Sequence, residues 1–336
     1  MKRTIHWGII GLGKIAKKFA KDIQAAKNAK LYAVASRSLE KAEEFAQEYN
    51  ADRAFGSYED LLNCSEVDAV YIATPHPYHH QHTLLCLEAG MPVLCEKPFA
   101  INEWQVQEMI DKAKEKKVFL MEALWTQFLP SMAKVKELIA ADVIGEVLSV
   151  RADFGFKAPY LPEKRLFNRE LGGGALLDIG IYPVFLALFL LGYPDEIVAL
   201  AKIGETQVDE EIGMSFGYKS GQMAHLHSTL MARTNTEAFI YGTKGTIHLP
   251  ERWFTTVGMT IKLYGQQEED FQTINFDYVA GGIEYEIEEA SRCILEGKLE
   301  HEKMSWDFSL QLIRLLDAIR EKIGLRYQED EQKVIG

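Results

Sequence analysis

The sequence predicts an α/β chain in two parts: an N-terminal doubly wound parallel sheet in residues 1–122, and a C-terminal α+β domain in residues 123–336 with a large, mostly antiparallel open sheet. Two observations predict this division. Strand and helix patterns alternate through the first 120 or so residues, whereas alternating apolar and polar residues dominate after about residue 145. A length of 336 residues also suits two domains.

The first part contains apolar runs of strand length alternating with amphipathic stretches of helical period. The predicted strands are residues 5–10, 31–35, 69–73, 93–95 and 118–121. The predicted helices are residues 15–26, 39–49, 79–89 and 103–116. Because each strand is followed by a helix, the strands are expected to pair in parallel, with helices on both faces of the sheet.

The second part contains seven segments with the period-2 pattern of half-buried strands. They are residues 147–156, 197–203, 212–218, 222–230, 237–241, 246–249 and 259–264. The glycine-containing segments 219–221 and 242–245 are typical of hairpin turns. Two helices are predicted, at residues 173–191 and 306–323. The first contains thirteen uncharged residues, 179–191, which are too few to span a bilayer and indicate a buried helix.

Composition limits the classes of partner. The net charge of -12 argues against nucleic acid and anionic membranes, because both select basic surfaces. The four cysteines show no CxxC motif and no framework spacing, so a reduced, cytoplasmic setting is expected. Histidines at positions 76, 79, 80 and 82 lack a nearby cysteine or carboxylate to complete a metal shell, and no metal is expected.

A dinucleotide-binding fingerprint lies at the first strand–helix junction. Gly11-Leu12-Gly13-Lys14-Ile15-Ala16 matches G-x-G-x-x-G/A. The first glycine permits the tight turn, the second lets the backbone approach a pyrophosphate, and the alanine allows close helix–sheet packing. Lys14 and Ile15 complete the loop against the phosphates. The pattern predicts a Rossmann domain that binds a dinucleotide; a glycine turn that serves only packing is the alternative.

The end of the second strand indicates which dinucleotide is preferred. An NAD site usually has Asp or Glu here, whereas this chain has Ser36, Arg37 and Ser38, with Lys41 one helical turn later. Hydroxyls and a guanidinium suit a 2′-phosphate. We therefore expect NADP, with NAD possible; a solvated surface arginine is the alternative for Arg37.

Glu96-Lys97-Pro98 ends the fourth predicted strand. The carboxyl ends of parallel strands face the ligand crevice, and the proline stiffens the backbone next to Lys97. We interpret Lys97 as a catalytic donor beside a nicotinamide ring. Residues that follow the third strand, Thr74, Pro75, His76 and His79, are expected to line the same crevice with Glu96.

The predicted helix after Gly172-Gly173-Gly174 has two polar groups, Asp178 and Tyr182, on one face. A buried carboxylate needs a partner, and Lys97 is a candidate. A free tyrosine with a pKa of about 10 is a poor base, and a nearby cation lowers that value. This assigns proton transfer to Tyr182, polarisation of substrate to Lys97 and orientation to Asp178. A structural hydrogen bond in a core helix is the alternative.

These motifs resemble the Gfo/Idh/MocA oxidoreductases over nearly the whole chain, and most closely the dimeric dihydrodiol dehydrogenase branch. The matching segments are the fingerprint, residues 74–79, 93–98, 121–126 and 172–182. Most of the family has histidine at the position of Tyr182, whereas this branch has tyrosine.

The resemblance implies NADP-dependent oxidation of trans-dihydrodiols or of aldopyranoses such as xylose, and reduction of dicarbonyls. It also implies a cis peptide before Pro98, a nicotinamide- or substrate-side role for His79, substrate contacts from Trp125 and Phe154, and a homodimer through the open sheet. Phe128 and Trp253 are further candidates for an apolar substrate wall. Two alternatives stay open: a regulator of this fold without catalysis, and a sugar oxidoreductase with a tightly held cofactor.

Overall fold

The computed structural model describes residues 3–331, so the outermost residues of both predicted domains lie outside the described part. By the density of internal contacts the chain divides into two compact units. One contains the chain up to Phe128 together with Tyr278–Leu310, and the other contains Leu129–Asp277 together with the chain from Gln311 onward. The sequence suggested a single boundary, after residue 122.

The first unit is built on a six-stranded parallel sheet, which confirms the predicted Rossmann architecture. Its strands are β1 (Ile5–Ile10), β2 (Ala29–Ala35), β3 (Arg53–Phe55), β4 (Ala69–Ile72), β5 (Val93–Glu96) and β6 (Leu120–Ala123). Its helices in the same stretch are α1 (Lys14–Asp22), α2 (Leu39–Tyr49), α3 (Tyr58–Leu62), α4 (His79–Glu88) and α5 (Glu103–Lys116).

The strand order β3-β2-β1-β4-β5-β6 reverses direction between β1 and β4. Such a switch point opens a crevice at the carboxyl ends of the strands, where doubly wound sheets bind ligands. Every residue of β4, β5 and β6 is buried, as expected for strands covered on both faces. The sheet therefore places the ends of β1, β4, β5 and β6 around one crevice.

The second unit contains a large, mostly antiparallel open sheet, as predicted, with eight strands where the sequence indicated seven. Its elements in chain order are α6 (Pro130–Ala140), β7 (Val147–Gly155), a π-helical turn (Leu176–Gly180), α7 (Ile181–Leu191), β8 (Glu196–Ile203), β9 (Asp209–Gly217), β10 (Met223–Thr229), β11 (Ala238–Gly242), β12 (Gly245–Leu249), β13 (Gly258–Leu263) and β14 (Gln272–Asn275). The order is β14-β13-β12-β11-β7-β10-β9-β8. Only β7 and β10 pair in parallel, and both predicted hairpins form.

The apolar helix predicted over residues 173–191 starts later, with the π-helical turn at Leu176, and continues as α7. Ile181 to Leu188 are all buried. Within the described residues one helical stretch, Arg169–Leu191, is long and apolar enough to cross a membrane, but 78% of its most apolar window is buried inside the protein. It is the core helix of the second unit, as the sequence predicted.

Two further helices follow, α8 (Ile283–Leu295) and α9 (Trp306–Ile323). The start of α8 is attached to α1. Asp22 Oδ2 accepts a hydrogen bond from the Ile283 N–H at 3.2 Å, and Lys18 Nζ donates to the Gly281 carbonyl at 2.6 Å. These bonds explain why residues 278–310 group with the first unit.

Candidate active site

The fingerprint loop between β1 and α1 has the geometry of a phosphate cradle. Gly11 adopts φ +88°, and a Cβ there would lie 2.8 Å from the backbone of Ala73 and Thr74. Gly13 is the N-cap of α1, and the position of its missing Cβ is open space. Within the described residues no side chain caps α1, and its first turn contains no acidic residue. Its N–H groups are therefore available to an anion.

The loop after β2 presents hydroxyls and positive charge. The Ser38 hydroxyl accepts a bond from the Lys41 N–H at 3.4 Å, and the Ser36 hydroxyl accepts one from the Ser38 N–H at 3.3 Å. Both hydroxyls act as acceptors in these bonds, so each keeps its own proton for an anionic oxygen. Arg37 and Lys41 are exposed. The loop can thus donate several hydrogen bonds to a phosphate.

The Arg37 charge acts on two aromatic side chains, Tyr58 of α3 and His82 of α4. His82 Nδ1 lies 3.1 Å from Thr74 Oγ1, and its ring meets Tyr58 edge-on at 4.9 Å. Burial, with a smaller contribution from the Arg37 cation, lowers the pKa of His82 to about 4. His82 is consequently neutral near pH 7, so it adds no positive charge beside Arg37.

The residues after β5 form the lysine turn, residues 96–99. The Lys97–Pro98 peptide is cis, as the family resemblance implies. The Lys97 N–H donates to Glu96 Oε2 at 3.2 Å, and Glu96 in turn accepts a bond from the Tyr71 hydroxyl. Glu96 is buried. Its carboxylate therefore fixes the backbone from which the Lys97 side chain starts.

Two further buried side chains hold the lysine turn. His79 Nδ1 lies 2.8 Å from the Pro98 carbonyl oxygen and its Nε2 2.8 Å from the Thr74 carbonyl oxygen. On the other side, Glu122 Oε1 accepts a bond from the Phe99 N–H at 3.0 Å. The backbone of the turn is thus tied to the ends of both neighbouring strands, β4 and β6.

His79 lies in the interior, with a 1% exposed side chain, and His76 is buried as well. Burial lowers the pKa of His79 to about 4, although its two carbonyl neighbours favour the protonated ring. A neutral imidazole can donate to only one of the two carbonyls. Both ring nitrogens face backbone oxygens, one in the loop after β4 and one in the lysine turn. The position of His79 therefore suits a residue that holds these two loops together.

Glu122 is a residue that the sequence reasoning did not select. Its side chain is 2% exposed, and burial raises its pKa to about 7, while hydrogen bonding and the Lys97 charge act in the opposite direction. Its only signal in the sequence is an acidic residue inside the apolar segment 118–124. Trp125, three residues later, is also buried, and Lys18 Nζ lies 4.7 Å from the centre of its ring.

In the second unit, Asp178 lies in the π-helical turn and Tyr182 in the first turn of α7. Arg165 donates to Asp178 Oδ1 at 2.8 Å, so the carboxylate has a cationic partner that the sequence reasoning missed. Arg165 comes from the loop 156–175, which has no periodicity that would single it out. Tyr182 is 7% exposed.

An aromatic cluster surrounds the Tyr182 ring. Phe154 lies 5.6 Å from it and Phe254 5.1 Å, and the two phenylalanines stack on each other at 4.2 Å. Phe254 was not among the predicted wall residues. Trp253, which was considered, is fully buried and donates its indole N–H to the Asp153 carbonyl at 2.9 Å, so it belongs to the core.

One group of described residues has the spacing of a metal site: Cys293, His301 and Glu302. The two ring nitrogens of its histidine already have partners. His301 Nδ1 accepts a bond from the Lys303 N–H at 2.9 Å, and Nε2 lies 2.9 Å from a Glu289 oxygen. Burial raises the pKa of Cys293 to about 11, which keeps the thiol protonated at neutral pH. Both ring nitrogens of His301 therefore already have partners in this structure, and we propose no metal at this group.

Comparison with known proteins agrees with this geometry. Residues 5–124 match the model of the GFO/IDH/MocA oxidoreductase family with its NAD-binding Rossmann fold, and residues 132–248 match the GFO/IDH/MocA C-terminal domain. Trans-1,2-dihydrobenzene-1,2-diol dehydrogenase of Danio rerio is 38% identical, over 98% of this chain and 100% of the relative. The Homo sapiens protein of the same name is 32% identical over the same shares.

Two solved structures are similar throughout. KijD10, a 3-ketoreductase from Actinomadura kijaniata solved with NADP and TDP-benzene, is 25% identical, with a TM-score of 0.85 over 96% of this chain and 98% of its own. A levoglucosan dehydrogenase solved with NADH and levoglucosan has a TM-score of 0.86 over the same shares. At 21% identity the latter shows the fold alone.

Proposed function

Since the chain belongs to the Gfo/Idh/MocA family of oxidoreductases, we propose that it is an NADP-preferring dehydrogenase of trans-dihydrodiols, aldopyranoses or small dicarbonyls. The family and its relatives establish that it is an NAD(P)-dependent dehydrogenase acting on CH–OH groups. The observation that carries this proposal is the lysine turn. Three buried titratable side chains hold its backbone at the carboxyl end of β5.

The residues present fit a dinucleotide. The open N-terminus of α1, with Gly11, Gly13, Lys14 and Ile15, would hold the pyrophosphate. The loop after β2 would hold the adenosine 2′-phosphate. The loops after β4 and β5 would hold the nicotinamide half. Thr74, Pro75, His76 and Lys97 would line it, and the buried His79 and Glu96 would keep the two loops in place. The bound cofactor supplies the hydride acceptor or donor.

The catalytic roles follow from charge. We propose that the Lys97 ammonium polarises the reacting oxygen of the substrate and favours its anionic form. Tyr182 takes the proton of the alcohol as its phenolate in oxidation, and gives a proton to the carbonyl oxygen as its phenol in reduction. Asp178 orients this part of the site, and its pairing with Arg165 supports the role because a partly buried carboxylate needs a fixed partner.

The substrate class is supported by the aromatic surroundings of Tyr182. The stacked Phe154 and Phe254 rings offer flat apolar surface, as does Trp125 in the first unit. Such surfaces suit an aromatic ring or the C–H face of a pyranose. We propose Trp125 and Phe154 as substrate contacts on this basis.

The test is titration of NADPH fluorescence, combined with turnover of D-xylose, a trans-dihydrodiol and a small dicarbonyl. Binding with turnover of at least one substrate is expected. Binding without turnover on all three would favour the competing hypothesis, a nucleotide-binding regulator of the same fold.

The four cysteines are free and three are buried, which supports a reducing, cytoplasmic setting.

Arg37→Ala is expected to weaken NADP binding by about 10- to 100-fold and NAD binding by less than about twofold, because only NADP has the 2′-phosphate. The measurement is the dissociation constant of both cofactors by fluorescence titration. Arg53→Ala, which removes an exposed guanidinium from the adjacent strand β3, is the matched control and should leave both constants unchanged. Equal losses for NADP and NAD would show that Arg37 is not a phosphate ligand.

We also propose a homodimer through the open face of the β7–β10–β9–β8 sheet. Val198 and Leu200 of β8 are 63% and 78% exposed, and a groove of about 620 Å³ runs beside them, with Arg151, His225 and His227 in its lining. Exposed apolar side chains on one open sheet face are typical of protein interfaces.

The expected result is that Val198→Glu combined with Leu200→Glu converts the dimer to a monomer in light scattering coupled to size exclusion. A desolvated carboxylate at the centre of an interface is costly, which is the physical reason. Val279→Glu is the control, since Val279 is 70% exposed in the other unit. A wild-type monomer at micromolar concentration, or an unchanged dimer in the double variant, would contradict the proposed interface.

A further inference from the structure

Asp209, the first residue of β9, is a fully buried acid that no part of the proposed reaction uses. Its Oδ2 accepts a hydrogen bond from the Leu176 N–H at 2.6 Å. The Ala175 N–H also acts on this carboxylate as a hydrogen-bond donor. Leu176 is the first residue of the π-helical turn that contains Asp178 and leads into α7, so Asp209 caps the segment that carries both polar residues.

The glycine tract before this segment is fitted closely to Asp209. Gly174 adopts φ +123°, and a Cβ at that position would overlap Asp209 Oδ1. The Tyr327 hydroxyl donates to the Gly173 carbonyl at 2.5 Å and is the next nearest group to the same position. Gly174 therefore lets the backbone approach a carboxylate that a side chain at this position would displace.

Opposing effects act on the charge of the Asp209 carboxylate. Burial raises the pKa of Asp209 to about 7, whereas its hydrogen bonds and the Arg320 cation act in the opposite direction. The titratable groups that interact electrostatically with Asp209 are Tyr327 and Arg320. Arg320 also forms ion pairs with Asp317 and Asp330. Within the described residues Asp209 Oδ1 has no hydrogen-bond partner.

We propose that Asp209 is a positioning residue whose ionised carboxylate fixes the start of the segment carrying Asp178 and Tyr182, and that uptake of a proton by Asp209 loosens this segment. The inference rests on the proposed roles of those two residues. Ionised acceptors form hydrogen bonds roughly twice as strong as neutral ones. The positions of Asp178 and Tyr182 would then depend on pH through a group that contacts neither substrate nor cofactor.

The direction of the stability effect distinguishes this role from plain structural support. An unfolded aspartate titrates near pH 4, so between about pH 4 and pH 7 the folded protein holds a proton that the unfolded chain has lost. This contribution stabilises the fold at low pH and disappears as pH rises through about 7. Ionised Asp209 therefore costs stability, and removing its charge should not lower the melting temperature at pH 8.

The test uses Asp209→Asn, which keeps the shape of the side chain and removes its charge. Hydrogen–deuterium exchange of a peptide covering residues 174–182 at pH 8 is expected to be about 3- to 10-fold faster than in the wild type. The wild type should show the same acceleration at pH 6, after correction for the intrinsic rate. Asp195→Asn is the matched control, because Asp195 accepts a bond from the Lys219 N–H at 2.8 Å in a distant hairpin.

The kinetic readout is the pH profile of kcat. The kcat of the wild type is expected to rise with pH, with a midpoint near pH 7. Asp209→Asn is expected to lack this rise and to have a kcat at pH 8 at least about 10-fold lower than the wild type, with an unchanged Kd for NADPH. An unchanged exchange rate in the variant, or a retained rise, overturns the proposal. Wild-type protein without turnover would overturn the proposed function instead, since the exchange measurement needs no substrate.

Discussion

Lys97→Met is expected to lower kcat/KM at least about 100-fold while changing the Kd for NADPH less than about twofold. Loss of a charge that acts mainly in the transition state costs about 2.7 kcal/mol or more at this level. Methionine keeps an unbranched chain of similar length, so the variant removes the ammonium and little else. Steady-state kinetics and fluorescence titration on the same preparation provide both numbers.

The structure explains why this effect is expected to be confined to catalysis. The backbone of the lysine turn is held by Glu96, His79 and Glu122, and none of these bonds uses the lysine side chain. The geometry of the turn should therefore survive the substitution. Lys21→Met, which removes an exposed lysine at the end of α1, is the control and should retain wild-type kinetics. Near-normal turnover in Lys97→Met would remove Lys97 from the mechanism.

Helices with local start and stop signals were predicted with accurate ends. The bounds of α2, α5 and α9 are those expected from the sequence. In α2 the Ser38 side chain caps the first turn and Asn50 ends the helix in the left-handed conformation; in α5, Asn102 and Lys117 do the same. Because caps and periodicity lie within a few residues, a single sequence contains all the information that these helices need.

Short and irregular elements were not predictable in the same way. The strand β3 has three residues, all at least partly exposed, and β14 is a four-residue strand with no buried residue. Neither contains enough alternation to be recognised. The π-helical turn at Leu176 is hydrogen-bonded to Asp209, 33 residues away, and such a contact leaves no local pattern.

The same distinction applies to the candidate site. The fingerprint and the lysine turn are contiguous motifs, and the sequence located both. Glu122, Arg165 and Phe254 were missed because each acts on a residue that is distant in the chain. A lone acid, arginine or phenylalanine is unremarkable until the fold brings its partner close. Supporting residues of this kind emerge only from tertiary structure.

Tyr182→Phe is expected to lower kcat by about 100- to 10,000-fold, the usual contribution of a positioned proton donor or acceptor. Phenylalanine preserves the ring that packs against Phe154 and Phe254, so the melting temperature and the KM for substrate should change little. The measurements are steady-state kinetics in both directions and thermal unfolding.

The control for this substitution is Tyr218→Phe, which removes a buried tyrosine hydroxyl with no hydrogen-bond partner among the described residues of the same unit. It should leave kcat unchanged. If Tyr182→Phe retained more than about a tenth of wild-type kcat, another group would have to move the proton, and the tyrosine would be a ring of the substrate wall. A large loss in kcat with a constant KM would instead mean that the hydroxyl acts in the transition state, because a hydroxyl that only bound substrate would raise KM and leave kcat unchanged.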